Sequence, residues 1–463
     1  MKEKILSKIN IVSIFAVFAG VWAIIMSIAV PVSQTPDEYT HFINMMYAYG
    51  TTDYIAETTG MFYAEAGLSD FNVSENHPVD EAAYKTAGMK RYEHHLRPSD
   101  FNIGINAVKY IPAALGFYLG AIFRLPKLIC LQMAEFFSTV FFILMGILTL
   151  KLAPFKKAVF LFVLLMPMTI QQCSSINPDV MIITCSLFMT ALILNMKFRE
   201  GKVTWKDIII LIVITLVFFV VKMIYMLLLA AILIVPIDKF YLPIGKKFDL
   251  AVFIKKYKWV CLVFVILAAS GFVFLCRNQY FFKVLFACAL QPGRTLFLMK
   301  VTLSNLLFYY MQTTVGCFGW LDTFVSNQFI VIFFCILVFI NLFLPKAELE
   351  TYKGLKIRDR IIMVIIALGV MGLVLVSMAT WSFELDGLDP NVDVATIRGY
   401  LYQISSLLGV QGRYIIPVIP MFVVPLGVGT EIGNKKSYYG TQIVFYLYTF
   451  YYVMKLVMYR YWG

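Results

Sequence analysis

Apolar positions in this chain fall in long unbroken runs, and the polar residues are gathered between them. The runs cover 9–30, 128–150, 157–173, 179–196, 206–221, 222–237, 257–276, 328–345, 360–380, 413–430 and 438–459. Each is roughly twenty residues, enough to cross about 30 Å of hydrocarbon at about 1.5 Å per helical residue. Every backbone group at that depth needs an internal partner, which predicts helices. The pattern predicts an all-α polytopic membrane protein, a bundle of about 11 transmembrane helices. The runs are apolar on all sides, so periodicity does not say which face packs inward. The stretch 206–237 is open to a second reading as one long tilted helix, which changes the parity of all that follows.

The charges between the runs give the pattern a direction. Lys2, Lys4 and Lys8 precede the first run, which is longer than the apolar core of about 7–15 residues in a signal peptide. It is read as a retained span with its amino end in the cytoplasm, which puts 32–127 outside as a large first loop. Between Val32 and Ile105 there are eleven acidic and four basic residues, a balance of −7 in a chain of net charge +12. The apolar piece 107–123 is long enough for a short span, but a crossing there would export the clusters Lys151, Lys156, Lys157 and Lys197, Arg199, Lys202. Read instead as an interfacial amphipathic helix, it leaves all of them inside, as positive-inside bias requires. Basic stretches around 246–258, 346–360 and 435–436 then also fall inside. The outer segments are 32–127, 174–178, 277–327 and 381–412, with the carboxyl end outside.

Composition excludes a soluble globular protein. Hydrophobic residues make up 60%, charged residues 14%, and the mean hydropathy is +0.80. The positive charge comes in short clusters between spans, which argues against nucleic-acid binding. Eight cysteines are scattered with no CxxC pair and read as small apolar fillers.

Charged groups near membrane depth need a reason to be there. Asp37 and Glu38 follow the first span directly, in PVSQTPDEYTHF, where Pro36 sets a turn. On a helix starting there, Asp37 and His41 share a face. A carboxylate at that place acts as a general base, holds a divalent cation, or merely caps the helix. All four histidines, 41, 77, 94 and 95, lie in the first loop without HExxH spacing. Asp179, after Pro178 at the outer start of a span, is either a cap or a second acidic group facing that loop. Lys222 interrupts a long apolar stretch near the outer interface, with Tyr225 on the same face. Arg413, after Gly412 at the outer start of the penultimate span, is the residue type best suited to grip phosphate. Arg294 and Lys300 lie in an outer loop whose positive sign suits an anionic partner. A transferase that detaches a sugar from a lipid phosphate needs this division, a carboxylate for the acceptor hydroxyl and cations for the departing phosphate.

Several short motifs carry a resemblance. Pro36-Asp37-Glu38-x-x-His41, Tyr110-Ile111-Pro112, Leu165-Met166-Pro167-Met168 with Asp179, and Lys222-x-x-Tyr225 come first. Val315-Gly316-x-Phe318-Gly319-Trp320 and Gln411-Gly412-Arg413-Tyr414-x-x-Pro417 follow. Together, over about 30–425, they resemble an uncharacterised group of bacterial polytopic proteins. That group is similar in plan to the GT-C superfamily of polyprenyl-phosphate-sugar-dependent glycosyltransferases. The resemblance implies a GT-C-like bundle, an extracytoplasmic active site in a multi-pass cell-membrane protein, and Asp37 as base or metal ligand with Glu38 beside it. His41, Asp179, Lys222, Tyr225, Arg294 and Arg413 are the expected substrate-binding residues, and Asp37 with Asp179 the ligands of any divalent Mg or Mn. Many lipid-linked transferases carry an arginine early in the second full span, where this chain has Ala134-Glu135.

The expected activity is inverting glycosyl transfer from a polyprenyl-phosphate-linked donor. The acceptor is a cell-surface glycan, a teichoic-acid-like polymer or another lipid-linked molecule. A transporter or flippase for a lipid-linked envelope precursor is the alternative, but it predicts paired halves with broken helices at the midplane, which the sequence lacks. A scaffold for a surface-polymer complex predicts tolerance of change at both Asp37 and Arg413.

Overall fold

The computed structural model describes residues 10–59, 79–240, 250–319, 321–385, 387–432 and 435–463. Lys2, Lys4, Lys8, His77, Lys246, Lys247 and Trp320 therefore lie outside the described residues.

The described chain is mostly helical, with two minimal sheets, Cys317–Phe318 on Thr323–Phe324 and Phe343–Leu344 on Thr430–Glu431. Helix α1 spans Ile11–Ala29, opened by Asn10, whose side chain accepts the Ser13 amide at 2.8 Å. Pro31, close behind it, cannot extend the helix. Helix α2, Glu38–Tyr49, ends at Gly50, whose φ of 82° the missing side chain permits. Helix α3, Ile111–Ile122, turns back through a short corner into α4, Lys127–Leu152. Gly116 and Gly120 of α3 lie on Met133 and Cys130 of α4, so the pair is antiparallel along the first half of α4.

That pairing bears on 107–123. By length and apolarity Ile105–Ile122 qualifies as a span. Yet Tyr110 meets His41 at one end of the bundle, and α3 runs from there back along α4 towards its start. It packs against α4 with Ile111, Leu115, Leu119 and Ile122 left exposed on its far side.

The next run, expected as one span over 157–173, is broken. Pro167 has no amide to bond the preceding turn, so the run divides into α5, Lys157–Leu164, and α6, Pro167–Cys173. Helix α7, Asp179–Phe198, is buried almost throughout. Helix α8, Trp205–Val221, stops at Lys222, and the chain returns as a 3-10 run, Met223–Ile234. The Val203 amide donates to the Lys239 carbonyl at 2.8 Å and closes this hairpin. The stretch 206–237 is thus two passes and not one tilted helix.

Beyond Lys258–Cys276, helices α9, Tyr280–Leu290, and α10, Pro292–Val315, meet at 104°. Then come α11, Asn327–Leu342, and α12, Ile357–Leu385. The run 413–430 is again divided, because Pro417, Pro420 and Pro425 remove amides: a 3-10 turn over Gly412–Val418 leads into α13, Ile419–Leu426. Helix α14, Lys435–Trp462, closes the chain.

Eleven spans were expected; among the described residues five helices are long and apolar enough to cross a membrane, or six if α9 and α10 form one bent span, and one of the five is Ile105–Ile122, which was read as interfacial. Met223–Ile234, Asn327–Leu342 and Gly412–Leu426 are shorter apolar helices. The chain is an all-α membrane protein.

The helices have two distinct ends. At one, Lys156 donates to the Asn341 side chain at 2.7 Å and the Val424 carbonyl at 2.8 Å, and Lys197 pairs with Asp359 at 2.8 Å. At the other, Tyr461 donates to the Gln34 carbonyl at 3.2 Å and Tyr225 to the Tyr414 carbonyl at 2.7 Å. The basic clusters collect at the first end. The candidate chemistry collects at the second.

Candidate functional site

The site forms where four chain turns converge. The first is Pro31 to Asp37, between α1 and α2; Asp37 has φ 67° and precedes α2 without a side-chain cap bond. An aspartate tolerates this left-handed geometry better than a bulkier residue, and here it turns the carboxylate away from the helix amides. The capping reading of Asp37 is therefore not the one realised. The second turn is Ser174 to Pro178, ahead of Asp179. The third is Lys222, where α8 reverses. The fourth is Gly412, whose missing side chain allows close packing on Tyr310 and Thr314 of α10 and so brings in Arg413.

Arg413 is the centre. Its guanidinium is 2% exposed and forms an ion pair with the Asp37 carboxylate, which is itself 48% exposed. Its Nε lies 3.6 Å from Asp179 Oδ2. Its Nη1 donates to the Pro36 carbonyl and to Gln172 Oε1, both at 3.1 Å, and its Nη2 to the Tyr414 hydroxyl at 3.2 Å. Gln172 is held by the Asn177 side chain at 2.8 Å, and Asn177 accepts the Asp179 amide at 2.9 Å. Lys222 sits with its ammonium 3.4 Å above the Tyr414 ring, a cation–π contact. Tyr225, fully buried, fixes the Tyr414 backbone. Two carboxylates thus face two cations around one fork-shaped donor set.

His41 is half-buried on α2, with Nδ1 3.1 Å from the Tyr110 hydroxyl. Burial pushes its pKa down to about 4, against the pull of Asp179 and Asp37 and with the push of Arg413 and Lys222. It is a neutral hydrogen-bonding group at neutral pH.

Glu38 does not face the open site. It is fully buried, and its carboxylate accepts the amides of Ser33 at 2.9 Å, Thr35 at 3.3 Å and Ile176 at 2.8 Å. Its place is structural, beside the catalytic position expected for it. Arg294 is elsewhere. It clamps the carbonyls of Leu401 at 2.9 Å, Tyr402 at 3.3 Å and Ile404 at 2.7 Å. It precedes Tyr310, which packs on Gly412, by sixteen residues of α10, about 24 Å of helix. The expectation that it grips substrate beside Arg413 is therefore not met, because its donors are spent on a loop. His94 and His95 are exposed on the first loop, where His94 meets Glu57 at 2.9 Å.

Gln172, Asn177 and Tyr414 were not named as site residues from the sequence, although Tyr414 stands in the motif Gln411-Gly412-Arg413-Tyr414. Their signal was present in the polar pair Gln171-Gln172 inside an apolar run, whose side chains need partners at that depth. As for a divalent metal, Asp37 and Asp179 are bridged by the guanidinium itself. Among the described residues no third carboxylate, histidine or cysteine joins them in a metal-binding group. In the structure the two acids are held by an arginine.

An apolar cavity of about 570 Å³ adjoins this centre. It lies between α10, α11 and α13, beginning at Tyr310 and Thr314 beside Gly412 and ending at Asn341 and Gly427 near Lys156.

A family model described as a predicted membrane protein (DUF2142) matches residues 18–422, nearly the whole chain and all of the site. Comparison with curated proteins and with solved structures gave no match.

Proposed function

The chain belongs to the DUF2142 family of predicted membrane proteins, and from that premise we propose that it is a membrane glycosyltransferase of GT-C type. In this reading it moves a sugar from a polyprenyl-phosphate donor to a cell-surface glycan, a teichoic-acid-like polymer or a lipid-linked acceptor. The observation that carries the reading is the buried Arg413, shared by Asp37 and Asp179 and flanked by Lys222, with an apolar cavity close by whose lining includes Tyr310 and Thr314, the residues that pack on Gly412.

Each part has a role in such a transfer. The cavity takes the isoprenoid chain of the donor, since only apolar side chains line most of it. Arg413 and Lys222 face the phosphate and stabilise the charge that develops as the sugar leaves. Asp37, the most exposed acid of the cluster, takes the proton from the acceptor hydroxyl as it attacks the anomeric carbon. Attack opposite the phosphate inverts that carbon. Asp179 and Gln172 hold the guanidinium in orientation, and His41 offers a neutral hydrogen bond to the sugar.

The two-ended distribution of charge supports an orientation. Lysines and arginines favour the cytoplasmic side, which supports placing the site end outside. The test is sugar transfer by purified protein in nanodiscs, with synthetic polyprenyl-phosphate sugars and a lipid-linked acceptor. Transfer lowered by about 10²–10⁴-fold in Asp37→Asn, with the fold intact, is the expected result. Wild-type rates in that variant, or movement of the donor across the bilayer without transfer, would overturn the proposal.

A further inference from the structure

Two buried carboxyl groups take no part in the chemistry above. Glu38 is 0% exposed and Glu135, in the outer half of α4, 2%. Their carboxyl groups lie in hydrogen-bonding contact with each other. Among the described residues Glu135 Oε2 receives no hydrogen bond from any amide or hydroxyl. Glu38 by contrast accepts three amides, from Ser33, Thr35 and Ile176.

Two carboxylates in contact and away from water cannot both be ionised. Three amide donors favour the charged form of Glu38. Among the described residues Glu135 Oε2 has no such donor, and its remaining option is to donate a proton. The titratable groups facing the pair from other elements are phenols. Tyr84 accepts the Val32 amide at 3.2 Å, and Tyr461 of α14 accepts the Gly319 amide at 3.0 Å.

The three amides have a further meaning. Ser33 and Thr35 belong to the turn that ends at Asp37, and Ile176 to the turn that ends at Asp179. One carboxylate therefore ties together the two loops whose acids meet Arg413. We propose that Glu38 and Glu135 share a single proton, donated by Glu135, and that this acid pair is a positioning device that sets Asp37 and Asp179 around the arginine. The inference concerns the protein without substrate and stands whatever reaction the site performs.

Two measurements on the full chain in nanodiscs test it. Infrared spectra of protein with isotope-labelled glutamate carboxyls should show the carbonyl stretch of a protonated acid at neutral pH. That band should be absent from Glu135→Gln, whose amide donates in the same place, and present in Asp37→Asn. Hydrogen exchange should then show the peptides covering 33–38 and 174–179 opening together, about tenfold faster or more in Glu38→Ala and unchanged in Glu135→Gln, with the rest of the chain as before. A merely structural glutamate would not couple two loops so distant in sequence. Lack of the acid band, its survival in Glu135→Gln, or faster exchange in one loop alone would overturn the proposal. If Glu38→Ala does not fold, the Glu135→Gln spectrum decides by itself.

Discussion

At the scale of the residue, the site turns on the fork of Arg413. Five donors in one plane reach Asp37, the Pro36 carbonyl, Gln172 and the Tyr414 hydroxyl, with Asp179 beside Nε. Lysine keeps the charge but has no fork. Arg413→Lys is expected to lower transfer by about 10²-fold or more, with the protein still folded, as read in the nanodisc assay. Arg413→Met should do more, since it leaves the half-buried Asp179 without its cation; a loss of about 1–3 kcal/mol is expected in thermal unfolding in detergent. His41 gives a prediction in pH. Its folded pKa, about 4, lies below the ordinary 6.5 of histidine, so between these values the unfolded chain binds the extra proton. Stability should therefore fall as pH drops through that window, and His41→Gln should flatten the fall. An NMR titration of labelled histidine should find one midpoint near 4. A midpoint near 6.5 for His41 would show that burial does not govern it.

At the scale of the element, two packing features were decided by single residues. Glycine at 116 lets α3 lie against the Met133 carbonyl of α4, where any side chain collides with backbone. Gly116→Leu is expected to destabilise the protein by about 1–3 kcal/mol, measured as a lowered Tm in detergent, while Gly20→Leu on α1, with open space around it, should not. The second feature is the reversal at Lys222. Cysteines introduced at Val203 and Lys239 should cross-link readily, because their backbones are hydrogen-bonded. In one continuous helix they would stand about 54 Å apart and could not. The apolar run gave no sign of this turn beyond the lysine itself. A lone charge in a long apolar stretch is equally suited to a snorkelling side chain and to a corner, so only the packed hairpin separates the two.

At the scale of the whole molecule, the separation of charge between the two ends predicts a topology. A cysteine at exposed Ser99 should react with an impermeant thiol reagent from outside intact cells, and one at exposed Glu350 only after permeabilisation. The reverse pattern would invert the orientation and move the site to the cytoplasm. Read alone, the sequence determined the solvent of this protein, its helical class and the sign of its two faces. These follow from run length and from the penalty for placing charge in hydrocarbon, both local properties of the chain. It also marked Asp37, Asp179, Lys222 and Arg413, for the same reason. It did not determine which of its cations would meet those acids, and Arg413, Lys222 and Arg294 were all candidates. Arg413 and Asp37 are 376 positions apart, and their meeting depends on Gly412 fitting against α10 and on Glu38 tying two loops together. Contacts of that range are set by how whole helices pack, which runs apolar on every side leave unspecified.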